Sequence, residues 1–423
     1  MNGPAALLRR YHLHAPGFVY GAMTILVGLA AVNRQNNLLF WILGMMLSAL
    51  LMSGLVSGIM MQSLRVRRLV AGHGLVGEPL RVRYWVTNRS RFLPAFALHI
   101  EELPVDGPGG WTRLMRPARA WVMHLGPRET VHGEAVFWPT QRGEVRFDRV
   151  RIWTTFPFGI IRKSKTISQP QHTLIHPLLY EVRREILRSV APQGLAGSRV
   201  SRRTGTGDDY YGMRDFRPGD TMRHIAWKRS ACLDELVCLE RTMPTPPRLR
   251  VIVNLTTPTH RLRVDARRET YSPRQLEERA ISLAASIIHA ADLAGFEIGL
   301  SLPGTDRPAI LTRRGHWHRA RVMSSMAAID LDAPRTGSGP LPTSYGERAA
   351  QIVIHPDRVD PSIGREDALH LSARHMSRLT VRSIGWDPGT APPESPESPK
   401  FPESTKSTKS RETRDAAPAE TAA

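Results

Sequence analysis

The run from Leu38 to Met61 constrains the fold of this chain more than any other feature, because it holds 24 residues without a charge. A helix needs about 20 apolar residues to cross the hydrocarbon core of a bilayer. A second uncharged run, Phe18 to Val32, has 15 residues and reaches spanning length only by recruiting Tyr11–Gly17 or in a locally thinner bilayer. The polar stretch Asn33–Asn37 separates the runs. We therefore predict a transmembrane helical hairpin.

Basic residues flank both runs: Arg9 and Arg10 before the first, Arg65, Arg67 and Arg68 after the second. The turn between the runs carries only Arg34. Lys and Arg concentrate in cytoplasmic flanks, so we expect a two-helix protein of the cell inner membrane with its N- and C-termini cytoplasmic. A cleaved signal peptide at Phe18–Val32, or two buried core helices, are the alternatives. The length of the second run favours the hairpin.

The chain has 423 residues with 58 Lys and Arg against 38 Asp and Glu, a formal net charge of +20. This length suggests two or three folded units, and two cysteines exclude a disulfide framework or a four-cysteine zinc site. The basic excess indicates a polyanionic partner or a membrane surface. We expect anionic inner-leaflet lipids and an acidic protein surface, and no specific nucleic acid, because no known nucleic-acid-binding pattern accompanies the charge. The residues expected to face lipid are Arg65, Arg67, Arg68, Arg81 and Arg83.

Two patterns follow the hairpin. Short strands with alternating apolar residues, such as Leu80–Val86, and turn residues between them predict an immunoglobulin-like β-sandwich in 69–180. Later, strands alternate with helices, which predicts a mainly parallel, doubly wound sheet. The predicted strands are 249–255, 296–302, 351–354 and 379–384, and the predicted helices are 274–294, 319–329 and 367–376.

The predicted fold class is thus α+β and multidomain. The predicted units are a transmembrane hairpin with basic flanks (1–68), a β-sandwich (69–180), a connector (181–245), an α/β domain (246–386) and a disordered tail (387–423).

The connector contains the densest cluster of unusual residues, between Arg202 and Glu240. Acidic side chains this close can hold a divalent cation, and Arg with Gly can bind phosphate. Alternatively, Arg and Asp pair with each other, Pro218–Asp220 forms a turn, and Trp227 packs in the core. The candidate acidic residues are Asp208, Asp209, Asp215 and Asp220.

Residues Arg214–Ala231, which we call the signature segment, read RDFRPGDTMRHIAWKRSA. They resemble the motif of the family labelled domain of unknown function 58, whose usual form is R-x-Y/F-x-x-G-D-x-x-R-x-I-x-W-x-x-[ST]-A. Weaker similarities lie at Gln141–Glu144, Phe156–Gly159 and His176–Pro177. The resemblance covers roughly residues 18–385.

The resemblance implies a membrane-anchored protein found beside MoxR-type AAA+ ATPases and other von Willebrand factor A proteins, with a von Willebrand factor A-like C-terminal domain. It brings no catalytic residue. We therefore expect an adaptor rather than an enzyme, with a MoxR-type ATPase as partner and other von Willebrand factor A-like membrane proteins as further candidates. The signature segment either binds the partner or orients the two domains. The candidate residues are Arg214, Phe216, Gly219, Asp220, Arg223, Trp227 and Lys228.

The metal-binding motif of the von Willebrand factor A fold, D-x-S-x-S, is degenerate here. Its place is taken by Asn254–Pro258, in which Asn254 replaces the carboxylate and Thr256 keeps one hydroxyl. Hard cations prefer carboxylate oxygens, so we expect no metal at this position. We also expect no cofactor. Two other function classes stay open: a metal- or phosphate-dependent enzyme that uses the acidic residues of the connector, and a basic nucleic-acid- or lipid-binding module.

Overall fold

The structure is a computed structural model, and it describes residues 8–13, 15–105, 107, 109–190, 199–262, 271–336 and 349–386. For 8–13, 199–211 and 241–245 it describes the backbone alone. The tail predicted to be disordered, 387–423, lies outside the described residues.

Most strands of the described chain follow one another in its first half, and most of the longer helices after α2 lie in its second half. The helices are α1 (Ala15–Arg34), α2 (Asn37–Ser63), α3 (Trp111–Leu114), α4 (Arg184–Val190), α5 (Trp227–Leu233), α6 (Pro273–Leu293), α7 (His316–Ala327) and α8 (Met376–Leu379). The strands up to the connector are β1 (Leu8–Leu13), β2 (Leu64–Leu69), β3 (His73–Leu75), β4 (Leu80–Asn88), β5 (Ala95–Glu102), β6 (Met115–Arg116), β7 (Arg119–Leu125), β8 (Thr130–Pro139), β9 (Gly143–Thr154), β10 (Ile161–His176) and β11 (Leu179–Val182). The later strands are β12 (Arg199–Asp215), β13 (Val237–Thr245), β14 (Arg248–Val253), β15 (Glu297–Ser301), β16 (Ile310–Arg313), β17 (Ala350–His355), β18 (Leu369–Ser372) and β19 (Thr380–Ile384).

The helices α1 and α2 form an apolar pair. They have 20 and 27 residues, and by length and composition each is long and apolar enough to cross a membrane. They contact each other, and the Tyr20 hydroxyl of α1 donates a hydrogen bond to the Met46 carbonyl of α2 at 3.1 Å. Between them, the side chain of Asn36 caps α2 by accepting from the Leu38 amide. The first helix does not recruit Tyr11, because Leu8–Leu13 form the strand β1.

Two sheets, built mostly from strands that follow the helical pair, contribute to one hydrophobic core. The first has the order β1-β10-β9-β5-β7 with β3 beside β10, and the second has the order β2-β4-β8-β6. Apolar side chains alternate along the strands, as in β4, so one face of a strand contributes to this core. Fully buried side chains of this core include Tyr84, Phe137, Phe147, Leu98 and Ile152. Strands β1 and β2 lie directly before and after the helical pair, so both ends of the pair continue into sheets.

An ion pair lies inside this core. The Arg68 guanidinium and the Glu102 carboxylate are 2.6 Å apart, and both side chains have 0% exposure. The Tyr84 hydroxyl donates to the other Glu102 oxygen at 2.9 Å, and Arg68 also donates to the carbonyls of Phe147 and Gln169. Arg68 is therefore not available to lipid, and its prediction as a lipid-facing residue is wrong.

A mainly parallel sheet of order β16-β15-β14-β17-β18 forms the C-terminal unit. Only β16 runs antiparallel to its neighbour. One face, with Leu249, Val251 and Val253 of β14, packs in a core that also receives buried side chains of α4, α6 and α7. Helix α6 starts with a capping box between Ser272 and Gln275, and Pro273 occupies its first turn.

Two predicted elements differ from the structure. The region 367–376, predicted as a helix, contains the strand β18 followed by a short 3-10 turn at Ala373–His375. The last strand, β19, was expected in the parallel sheet but pairs antiparallel with β11. Because β11 precedes the connector and β19 ends the described chain, this pairing joins the two ends of the C-terminal half.

Buried polar contacts link the first two sheets to the C-terminal unit. Arg142, which is almost fully buried, donates to both Glu278 carboxylate oxygens of α6 at 3.2 Å and to the Ile329 carbonyl at 3.3 Å. A second contact joins His176 to Ser324 of α7 at 3.3 Å. Arg142 belongs to the Gln141–Glu144 motif noted in the sequence, so that motif positions a residue between the two cores.

Candidate functional site

The signature segment is held inside the β12–β13 hairpin. The Phe216 amide donates to the Leu236 carbonyl at 2.9 Å, and the Ala226 amide donates to the Val237 carbonyl at 2.9 Å. Between these points Ile225 forms a bridge with Cys238, and both residues are buried. The chain thus folds back on β13, and residues 217–224 project as a loop.

Arg214 fixes that loop. Its guanidinium binds both Asp220 oxygens, at 2.6 and 2.8 Å, and its Nε donates to Glu240 at 2.9 Å. The hydrogen bonds from Arg214, followed by that from the Arg217 amide, lower the pKa of Asp220 to about 2. A planar guanidinium suits such a two-oxygen contact, which explains Arg rather than Lys at this position. The predicted pairing of Arg and Asp in the connector is present here.

Local sequence also sets the turn and the helix that follow. Gly219 has φ +107, a conformation that side chains with a Cβ rarely adopt, and it allows the Asp220 amide to return to the Arg217 carbonyl at 3.0 Å. Helix α5 then runs from Trp227 to Leu233. Its buried Ser230 hydroxyl accepts from the Val237 amide at 3.0 Å, which attaches α5 to β13.

The predicted site residues fall into two groups. Arg214, Phe216, Gly219 and Asp220 build the loop, whereas Arg223, Trp227 and Lys228 have side chains in solvent. Trp227 is 61% exposed, so the expectation that it packs in the core is wrong. Other apolar side chains of the same unit are also exposed, namely Met213, Met222, Leu233 and Leu236. Exposed apolar side chains beside Arg223 and Lys228 are typical of a protein-binding surface.

The acidic residues of the connector do not form a cation site in the part of it that the structure describes. Asp220 is occupied by Arg214, and Asp215 is exposed. The side chains of Asp208 and Asp209 lie outside the described residues. Among the described residues generally, no group of three or more His, Cys, Asp or Glu side chains is placed to hold a metal ion.

Asn254 and Thr256 lie at the carboxyl edge of the parallel sheet, after β14. The Asn254 side-chain oxygen accepts from the Thr256 hydroxyl at 2.7 Å, and its nitrogen contacts His355 Nδ1 at 3.2 Å. His355, at the end of β17, contacts His370 Nδ1 of β18 through Nε2 at 3.0 Å. The Asn254 side chain is thus engaged with Thr256 and His355 in a chain of hydrogen bonds that continues to His370. Sequence reasoning missed His355 and His370, which are far from Asn254 along the chain.

Burial lowers the pKa of His355 to about 4, helped by the neighbouring His370. Burial also lowers the pKa of His176 to about 4, helped by His73, which stacks on it. Both histidines are therefore neutral in the folded protein at pH 5.

Lowering the pH from 7 to 5 is expected to cost stability through these two histidines. The unfolded chain takes up protons near pH 6.5, whereas the folded chain does so only near pH 4, so unfolding is favoured increasingly as the pH falls between these values. Each histidine contributes at most about 1.4 kcal/mol per pH unit. Urea unfolding at both pH values should show a smaller loss for His355→Gln and His176→Gln than for wild type. The exposed His132→Gln is the control, and an equal loss in all four proteins would contradict the assignment.

Comparison with known proteins identifies one weak relative. The chain is 24% identical over 244 residues to the uncharacterized protein YeaD of Bacillus subtilis (strain 168). The match covers 57% of this chain and 56% of YeaD, so it spans just over half of each protein. No family model matches the chain. The resemblance to the domain of unknown function 58 family therefore stays a prediction that rests on the motif residues.

Proposed function

We propose that this protein is a membrane-anchored adaptor whose signature segment binds a protein partner on the cytoplasmic side, and that the partner is a MoxR-type AAA+ ATPase. The observation that carries the proposal is the group of exposed apolar side chains on one folded unit, with Met222 and Trp227 72% and 61% exposed. Aromatic and methionine side chains are enriched in protein interfaces. Arg223 and Lys228 beside them would favour an acidic partner surface.

The fold supports the same proposal. The two sheets that share a core would form a β-sandwich, and the parallel sheet with its antiparallel edge strand would be a von Willebrand factor A-like domain. Helices α1 and α2 would cross the inner membrane, with the basic residues Arg65 and Arg67 on the cytoplasmic side. Both residues are exposed on β2, directly after α2.

Binding is favoured over an orienting role for the signature segment. Among the described residues, the extensive contacts of β12, β13 and α5 are with one another or with the short turn at Met222–His224. Contacts between the two cores are instead made by Arg142 and His176. A segment that is folded by its own hydrogen bonds and turns apolar side chains outward is suited to contact another protein.

The test measures binding of the purified full-length protein in nanodiscs to a MoxR-type ATPase from the same genome. Trp227→Ala is expected to weaken binding by at least about 30-fold, the effect of losing a central aromatic contact of 2 kcal/mol or more. Arg223→Ala should weaken it less and reduce its salt dependence.

Trp317→Ala is the matched control, because Trp317 is 79% exposed but lies outside the signature segment. Equal affinity of wild type and Trp227→Ala, with unchanged hydrogen exchange in β12 and β13, would remove the segment from the interface. Absence of any binding by wild type would overturn the choice of partner.

A further inference from the structure

The loop between β9 and β10 places aromatic side chains beside α2. Phe158, at its tip, is 57% exposed. The loop and the helix enclose a pocket of about 380 Å³ that is open to its surroundings. Its lining is apolar apart from Ser48, whose hydroxyl donates to the Met45 carbonyl within the helix at 2.8 Å. The lining residues are Ser48, Ala49, Met52 and Val56 of α2 with Phe156, Pro157 and Phe158 of the loop.

The pairing of β1 with β10 shows the position of this loop along the axis of the helical pair. Leu13 lies opposite Ile161, and α1 begins two residues later at Ala15. On the other side of β10, Lys163 lies opposite Thr154, so the chain between Thr154 and Ile161 extends past the same level. The loop therefore lies beside the first turn of α1.

The contact between the helices gives the same level independently. The two helices run in opposite directions: the Tyr20 hydroxyl reaches the Met46 carbonyl, and a Cβ placed on Gly28 would lie 3.6 Å from Leu43 Cδ1. Since both helices rise about 1.5 Å per residue, counting from the first contact places Ala15 level with about residue 51, and counting from the second with about residue 56. The start of α1 is therefore level with the part of α2 that lines the pocket, Ser48–Val56.

This level matters if the helical pair spans a membrane, as the proposed function requires. The 20 residues of α1 give a length of about 30 Å, which equals the thickness of the hydrocarbon core. The start of α1 then marks the boundary between acyl chains and head groups. The Lys163 ammonium, which donates to the Gly54 carbonyl, lies close to this boundary. Phe158 lies at it, where an apolar ring can insert among the acyl chains.

We propose that Phe156–Pro157–Phe158 form an interfacial wedge in the inner leaflet, and that the pocket between the wedge and α2 holds an acyl chain of a membrane phospholipid. The inference rests on the proposed membrane anchor. The apolar lining, its continuity with the exposed α2 residues Leu51 and Leu55, and a volume within the usual range for small ligands support this occupant. Arg162, which follows the loop and lies opposite His12, holds its guanidinium 4.2 Å from the centroid of the Trp153 ring, and this positive charge near the proposed boundary would favour an anionic lipid.

A fluorescent probe at position 158 tests the wedge. Full-length protein with Cys232→Ser and Cys238→Ala receives one cysteine, by Phe158→Cys or by Arg81→Cys, and is labelled with an environment-sensitive dye in phosphatidylglycerol-containing vesicles. Arg81 is exposed and lies seven residues along β4 from Asn88, roughly 23 Å away from the α2 end. A quencher on the lipid chains should remove most of the fluorescence at position 158 and leave that at position 81.

A photoreactive phosphatidylglycerol with a diazirine in its acyl chain tests the pocket. Adducts on Phe156–Phe158 are expected in wild type and should fall several-fold in Ala49→Phe, which fills the pocket. Leu51→Phe is the control, because Leu51 is exposed on α2 but does not line the pocket. Equal adduct yields in Ala49→Phe and Leu51→Phe would overturn the acyl-chain site.

Extraction at alkaline pH separates this inference from the anchor on which it rests. A chain that stays in the vesicles while the dye at position 158 is not quenched would refute the wedge alone. A chain released into the supernatant would refute the membrane anchor and the wedge with it.

Discussion

Glu102→Ala is expected to lower the free energy of unfolding by about 3–5 kcal/mol, since it leaves the buried Arg68 guanidinium without its partner. The same substitution deprives the Tyr84 hydroxyl of its acceptor. Removing one member of a buried ion pair destabilises a protein by more than the intact pair stabilises it, because an unpaired charge stays in the core. Urea unfolding monitored by circular dichroism measures the effect.

A double-mutant cycle shows whether charge or volume is responsible. Arg68→Met with Glu102→Leu removes both charges and keeps the volume, so it should cost clearly less than the sum of the two single changes. Glu134→Ala is the surface control, because Glu134 is 3.9 Å from both Arg81 and Arg83 and should change stability by about 0.5 kcal/mol or less. Additive single effects would show that Arg68 and Glu102 do not act as a pair.

Arg142→Ala is expected to weaken the coupling between the two cores, of which the contact from His176 to Ser324 remains. Arg142 makes three hydrogen bonds across the interface, and its loss leaves Glu278 and the Ile329 carbonyl without this donor. Hydrogen exchange in α6 and α7 should accelerate, and thermal unfolding should separate into two transitions. The loss of stability should be about 1–2 kcal/mol, below the value for a fully buried ion pair, because the Glu278 side chain is 38% exposed and can be hydrated once Arg142 is removed.

Two variants sharpen this prediction. Arg142→Lys should fail to restore the coupling, because an ammonium cannot reach carboxylate and carbonyl in the geometry of a guanidinium. Arg146→Ala, which removes an ion pair with Asp148 within β9, should leave exchange in α6 and α7 unchanged. A single unfolding transition for Arg142→Ala, with wild-type exchange in both helices, would contradict a coupling role.

Local patterns in the sequence carried much of the fold. Uncharged runs located α1 and α2, and alternation located strands such as β4, because burial of one face leaves a periodic record. The alternation in β2 also indicates that Arg68 is buried, although this was not predicted. Leu64, Val66 and Arg68 share one face of the strand, and that face is buried. The pairing of β19 with β11 was not predictable in this way, since partners so far apart leave no local pattern.

The candidate site was predictable where contacts are short in sequence. Arg214 and Asp220 are six residues apart, and Gly219 between them marks the turn. The exposure of Trp227 was not predictable, because it depends on what packs against α5. The contact of His355 with Asn254 was also not predictable, because it depends on the pairing of β14 with β17, which are far apart in the sequence.

The hydrogen bonds between β1 and β10 have a mechanical consequence. The strand β1 precedes α1 and the strand β2 follows α2, so both ends of the helical pair are connected to sheets that share a core, instead of to a single flexible tether. Movement of the two sheets relative to the helices would have to break the hydrogen bonds between β1 and β10. The two sheets therefore hold a fixed orientation relative to α1 and α2, and a force applied to their shared core would be transmitted to both ends of the helical pair.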